Sequence, residues 1–193
     1  DVAVNGTVND LSMCGAKPQY LSLAFIIEEG FPMTAFWEIL VSIKNAADKA
    51  GVQIVTGDTK VVEKGKGDQI YINTSGVGLI NPKANIHHGN IQEGDVIIVS
   101  GNIATHGMAI MSLRQGLEFE TNIVSDTANL NHTVQSLVDA FGTDTHFLRD
   151  PTRGGVASVL NEIAELTRLG FYLDQKLLPI EEQVEGACEM LGL

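Results

Sequence analysis

Cysteine is scarce in this chain: Cys14 and Cys188 are the only two in 193 residues, and no Cys-x-x-Cys pair occurs. That excludes a disulfide framework and a zinc site built on paired thiolates. The expectation is two reduced, partly buried thiols and a cytoplasmic address. Basic residues are also few, 12 Lys plus Arg against 24 Asp plus Glu, for a formal net charge of −12. A duplex-binding protein needs a basic face to displace counterions, so nucleic acid is excluded as the main partner. Anionic membrane surfaces are disfavoured for the same reason. No apolar run approaches the ~20 residues of a membrane span, and no basic-then-apolar leader opens the chain. There is no Gly-x-x-x-x-Gly-Lys-Ser/Thr loop, no Gly-x-Gly-x-x-Gly after a strand and no Gly-x-Ser-x-Gly elbow, which removes the P-loop, Rossmann and nucleophile-elbow readings. None of the five histidines (His87, His88, His106, His132, His146) has metal-ligand spacing. The chain opens without an initiator Met on residues that are already patterned, and it stops inside a helical pattern. The reading is therefore of a piece of a longer protein.

What is present is an ordinary globular balance, 44% hydrophobic and 19% charged, with enough apolar mass for a core. Residues 7–15 begin with Thr and end with Gly as a short helix would. Residues 19–28 read as a buried strand. Phe36, Ile39, Leu40, Ile43, Ala46 and Ala47 recur at helical spacing up to Gly51. Residues 52–62 read as a strand interrupted by a Gly-Asp turn, and 69–80 as another, with Gly76 and Gly78 permitting a bulge or close backbone approach. Residues 81–94 lose periodicity and carry Pro, Asn and Gly. This places a linker at about 83–94, between an N-terminal domain (1–82) and a C-terminal domain (95–193). Beyond it the pattern predicts a strand at 95–101, a helix in THGMAIMSLRQG and a helix capped near Asp126 or Asn129. A short strand in THFLRD, a helix from Gly155 with Val156, Val159, Leu160 and Ile163 on one face, a strand at 171–180 and a last helix follow. The fold class is α+β, with mixed or antiparallel sheets covered by helices.

Three clusters carry possible chemistry. In GDTK (57–60), Asp58 offers a hard oxygen to Mg²⁺ and Lys60 a point charge to phosphate, or the segment is a polar turn. In VNDL (8–11), Asp10 caps, points outward or binds a cation, while Asn9 bonds a phosphate or ribose or caps the turn. In RDPTRGG (149–155), Arg149 and Arg153 flank a turn that opens a helix, which suits an anion, or Asp150 pairs with an arginine as a staple. His106, at a strand-to-helix turn, is a weaker candidate for ligand contact.

GTVNDLSMCGAKPQYLSLAFIIEEG followed by VQIVTGDTKVV resembles the ATP-binding half of the PurM-like (AIR synthetase) superfamily. With FIIEEGFPM, HGMAIMSLRQGLEF, RDPTRGGVASVLNEIA and IEEQVEGACEMLGL, the chain is similar along its length to the hydrogenase maturation factor HypE family of carbamoyl dehydratases. The resemblance implies a two-domain PurM-like fold, ATP and Mg²⁺ as cofactors, and a homodimer formed through the first domain. It also implies HypF as carbamoyl donor and a HypC–HypD complex as cyanide acceptor. The implied reaction phosphorylates the oxygen of an S-carbamoyl group on the protein's own C-terminal cysteine, removes a proton and expels phosphate to leave a thiocyanate. By motif match Asp10 and Asp58 are the metal carboxylates, and Asp10 and Lys60 are catalytic. Asn9, Asp58, Thr59, Arg149, Asp150 and Arg153 are nucleotide-binding. The family's terminal-cysteine tail and its glycine-rich N-terminal segment do not occur in these residues, so the implication is a piece inactive alone. Its GDHG turn reads ATHG, with Thr105 in the Asp position. Two other readings stand beside this one: a different PurM-like kinase or synthetase acting on a small molecule, and a non-catalytic dimerisation or docking module.

Overall fold

A computed structural model describes residues 1–116 and 123–192. By contact the chain divides into two compact units. The first comprises Asp1–Asn90 and Ala128–Asp150, the second Ile91–Thr127 and Pro151–Leu193.

The first unit is built on a three-stranded sheet. Helix α1 (Val2–Met13) leads into β1 (Ala16–Glu28), and α2 (Met33–Ala50) crosses over to β2 (Gln53–Val62). Strand β3 (Ile70–Ile80) returns on the other side, giving the order β2-β1-β3, with β1 parallel to β2 and antiparallel to β3. Alternation along β1 decides the layers. Leu21 and Phe25 point to the helices and pack with Val4 and Val8 of α1 and Ile43, Ala46, Ala47 and Ala50 of α2. Phe25 also meets Phe36 edge-on at 5.1 Å. Tyr20 and Ile26 of β1 with Tyr71, Val77 and Leu79 of β3 lie exposed on the opposite face. Helix α2 ends as its apolar periodicity does, with paired bonds from Gly51 N–H to the Asp48 carbonyl (3.1 Å) and Val52 N–H to the Ala47 carbonyl (3.0 Å).

The expected turn inside 52–62 does not form, because β2 runs unbroken through Gly57 and Asp58. Gly57 has a different reason to be glycine. It lies opposite Leu23, and a Cβ there would stand 1.9 Å from the Leu23 carbonyl oxygen. Gly76 meets the expectation of close approach: a Cβ would lie 2.6 Å from Leu21 Cδ2 and 2.8 Å from Leu11 Cδ1, so α1 seats directly on the sheet there. A register shift between Pro18 and Tyr20 lies opposite Val77 and Gly78.

Helix α3 (Thr105–Gln115) belongs to the second unit, whereas α4 (Asn131–Phe141) packs on the first. Helix α4 starts later than Asp126 or Asn129. It docks through Val134 and Val138 and through side-chain donors: Asn131 Nδ2 to the Ala50 carbonyl (2.8 Å) and Gln135 Nε2 to the Ala16 carbonyl (3.0 Å). In the second unit α5 (Gly155–Thr167) and α6 (Glu182–Leu191) complete the helices, and Met108, Val184 and Ala187 form a small core. The strands expected at 95–101, in THFLRD and at 171–180 are absent as regular strands. Exposure at Val96, Ile97, Ile98 and Val99 still alternates, 81, 43, 81 and 42%. That is the period of a strand, but no ladder forms among the described residues, and β-branched sequence alone does not make one. The last three residues of the HGMAIMSLRQGLEF motif lie outside the described residues.

Candidate functional site

Helix α1 turns Val4, Val8 and Ser12 inward, which leaves Asn9 and Asp10 on its outer side. Asp10 is exposed and faces Arg149 and Asp150, which end the stretch that follows α4. Its carboxyl is held above the ordinary aspartate range, first by partial loss of hydration and then by the Asp150 carboxylate, while the Arg149 guanidinium opposes the shift. One acidic pair and one guanidinium, contributed by residues distant in sequence, therefore converge here.

Asn9 is engaged differently from the expectation of a phosphate or ribose contact. Its Nδ2 donates to the Ala128 carbonyl (3.0 Å), and its Oδ1 accepts the Leu130 N–H (2.8 Å).

Asp58, Thr59 and Lys60 lie on β2, an edge strand exposed along almost its whole length. The register aligns Asp58 with Ala24 and Lys60 with Ile26, on the face turned away from the helices, and Thr59 with Phe25. Asp58 Oδ1 accepts the Thr59 N–H (2.8 Å). Among the described residues no hydrogen bond, ion pair or charge effect links Asp58 or Lys60 to Asp10. The expectation that Asp10, Asp58 and Lys60 meet around one nucleotide is therefore not met within a single chain. The reason is topological: Asp10 rides on a helix over one face of the sheet, and Asp58 and Lys60 project from the other. Arg153 belongs to the second unit, in the loop before α5.

The described residues hold no group of three or more His, Cys, Asp or Glu side chains able to cage a metal. The donor type nonetheless fits Mg²⁺, which commonly takes one or two protein carboxylates together with substrate phosphates. A groove of about 440 Å³ between α2 and β2, lined by Leu23, Leu40, Ile43, Ala47, Val52 and Ile54 among others, contains none of the expected site residues.

Sequence reasoning missed a polar cluster in the second unit. His106 Nδ1 lies 2.8 Å from Ser125 Oγ, which donates to Thr127 Oγ1 (2.8 Å). Beside His106, Thr105 is buried, and its hydroxyl has no hydrogen-bond partner among the described residues. The Ser-x-Thr spacing signals a local turn and carries no pointer to a histidine 19 residues earlier. No helix among the described residues is long and apolar enough to cross a membrane.

The N-terminal domain of the AIR synthase related proteins matches residues 1–80, and their C-terminal domain matches residues 92–193. Carbamoyl dehydratase HypE of Rhizobium leguminosarum bv. viciae is 49% identical over 192 residues, covering all of this chain and 55% of the relative. The crystal structure of a HypE–HypF complex superimposes with a TM-score of 0.96 at 51% identity, over all of this chain and 63% of the other. A HypE in complex with ATP does so with a TM-score of 0.95 at 47% identity, over all of this chain and 57% of the other. The chain thus spans a little over half the length of the curated relative it matches. Two domain matches that together take in nearly every residue, on an α+β fold shared with HypE structures, show that the chain belongs to the AIR synthase related protein family.

Proposed function

We propose that this chain is part of an ATP-dependent carbamoyl dehydratase of the HypE type, serving [NiFe]-hydrogenase maturation. The observation that carries the reading is the convergence of Asp10, Arg149 and Asp150, on a chain about half identical to HypE throughout. In the balanced reaction a cysteine S-carbamoyl group and ATP give a cysteine thiocyanate, ADP and phosphate. The carbamoyl oxygen leaves in the phosphate, and both amide protons are lost. Arg149 offsets the charge of the phosphoryl group. Asp10, whose environment raises its proton affinity, accepts a proton from the carbamoyl nitrogen. Asp10 and Asp150 would hold Mg²⁺, and the ion would neutralise phosphate charge when bound.

The separation of Asp58 and Lys60 from Asp10 supports a homodimer. The exposed Tyr20, Ile26, Tyr71, Val77 and Leu79 supply an apolar surface for a second copy, which would bring groups of another chain to the open face. Thr59 and Arg153 keep the nucleotide-contact roles that the family resemblance implies. HypF as carbamoyl donor is supported by the complex formed by a 51% identical HypE. A HypC–HypD complex as cyanide acceptor, the domain division at 83–94 and a cytoplasmic address complete the proposal.

The test is mass spectrometry of the full-length protein after incubation with HypF, carbamoyl phosphate and ATP. A carbamoyl adduct on a terminal cysteine that loses one water only with ATP is the expected result. An adduct stable to ATP, or none at all, sinks the reading.

A further inference from the structure

We propose that Asn9 is a positioning residue: its carboxamide clamps the point where the chain re-joins the first unit to the helix that carries Asp10, and it is not a nucleotide ligand. The role assigned to Asp10 above is assumed; the clamp itself is not tied to any reaction.

The chain passes into the first unit at Ala128 and leaves it after Asp150. These two crossing points meet consecutive residues of α1. Ala128 and Leu130 are bonded to Asn9, while Arg149 and Asp150 face Asp10. The contact at Asn9 is two-pointed. One donor and one acceptor on the same planar amide engage a carbonyl and an N–H two residues apart, which fixes separation and rotation together, as a strand bridge would. Leu130 precedes α4, and no side chain of its own caps that helix. The Asn9 oxygen therefore satisfies a main-chain N–H at its start.

The residue type is dictated by this geometry. Alanine loses both bonds, and ionised aspartate, identical in shape, turns an acceptor against the Ala128 carbonyl. One N–H and one lone pair of Asn9 are committed to main chain, which holds the carboxamide against the 128–130 segment. The rest of α4 is held independently by Asn131 and Gln135, so cutting the clamp frees the crossing segment without releasing the helix. The 23-residue excursion from Ala128 to Asp150 would then be unpinned at its first residues.

The test uses the full-length protein without nucleotide, with a separate ATP titration. In Asn9→Ala, hydrogen exchange at the Leu130 amide is expected to accelerate at least about tenfold. ATP affinity is expected to change less than about threefold. In Asn9→Asp, protection at Leu130 is expected to return once the new carboxyl is protonated, since a neutral acid again offers one donor and one acceptor. Because this comparison lies within one variant, it stands even if Asn9→Ala does not fold. Unchanged exchange at Leu130, or a tenfold loss of ATP affinity, would each overturn the proposal. None of these readings involves turnover, so the dehydratase assignment stands or falls separately.

Discussion

Replacing Gly57 by alanine puts the strand reading of GDTK to a quantitative test. The added Cβ would stand 1.9 Å from the Leu23 carbonyl oxygen and 3.0 Å from its carbon, both main-chain atoms that cannot swing aside. Ordinary carbon–oxygen contacts lie near 3.3 Å, so β1 and β2 must part by about 1.4 Å at this pair. A ladder bond near 2.9 Å does not survive that displacement. The loss reaches the neighbouring pairs Ser22 with Thr56 and Ala24 with Asp58. Two to four ladder bonds at ~1 kcal/mol each give a cost of about 2–4 kcal/mol, a large share of the ~5–15 kcal/mol typical of a domain. Gly6 supplies the control. It lies inside α1, and its Cβ would meet nothing within 4 Å, so Gly6→Ala should stabilise by roughly 0.5–1 kcal/mol. Trp37, the only tryptophan, sits on α2 in the same unit and reports urea unfolding of that unit by fluorescence. If Gly57→Ala costs less than about 0.5 kcal/mol, or if both alanines destabilise alike, the close approach of β1 and β2 is not what glycine serves at this position.

Glu28 accepts hydrogen bonds from the N–H groups of Gly65 and Gln69, which hold its carboxyl below the usual glutamate range, with Lys64 assisting. Its contribution is present above the unfolded glutamate value and disappears as pH falls through the lower folded one. Exchange at the Gly65 and Gln69 amides should accelerate in that acid window in the parent, and Glu28→Gln should lack the pH-dependent step. Asp10 has the opposite sign: its folded value is raised, so stability is fullest below the unfolded value and declines as pH rises through the folded one. Asp10→Asn should therefore melt higher than the parent at pH 7, lose that advantage at pH 3, and show no ATP-dependent dehydration in the mass assay. Lys60→Ala, on an exposed edge strand, should leave urea stability within about 0.5 kcal/mol while abolishing dehydration. Asn131→Ala should cost about 1–3 kcal/mol by the same fluorescence assay, because it strips the Ala50 carbonyl of a buried donor.

The helices were legible because their signals are local. The 3.6-residue apolar period from Phe36 to Ala47 and the glycine after it describe α2 without reference to any other part of the chain. The β-strands were only half legible. Residues 96–99 carry the same β-branched pattern as β1, yet no regular strand is assigned to them, while β1 acquires two neighbours. Pairing is a property of the partner, and the partner is not written in the segment. Gly57 was misread for a related reason. A glycine beside an aspartate is the usual mark of a turn, and the alternative, that another strand's carbonyl needs the space of a Cβ, depends on a residue 34 positions away.

The site divides along the same line. That Asp10, Asp58, Lys60 and Arg149 are candidates was readable from the motifs, because each motif is a short run of letters. Which of them meet was not, because sheet parity settles it. In β2 the residues that align with Leu23 and Phe25 turn toward the helices, and those that align with Ala24 and Ile26 turn away. A single-residue slip in that register would have put Asp58 and Lys60 on the side of α1. The register observed, set by the shift between Leu21 and Ser22, keeps them on the open face. On the proposed reading, a chain that separates its acidic helix from its acid–amine strand in this way needs another element to bring both to one nucleotide. The apolar residues beside Asp58 and Lys60 make a second copy of the same sheet the candidate best matched to that surface.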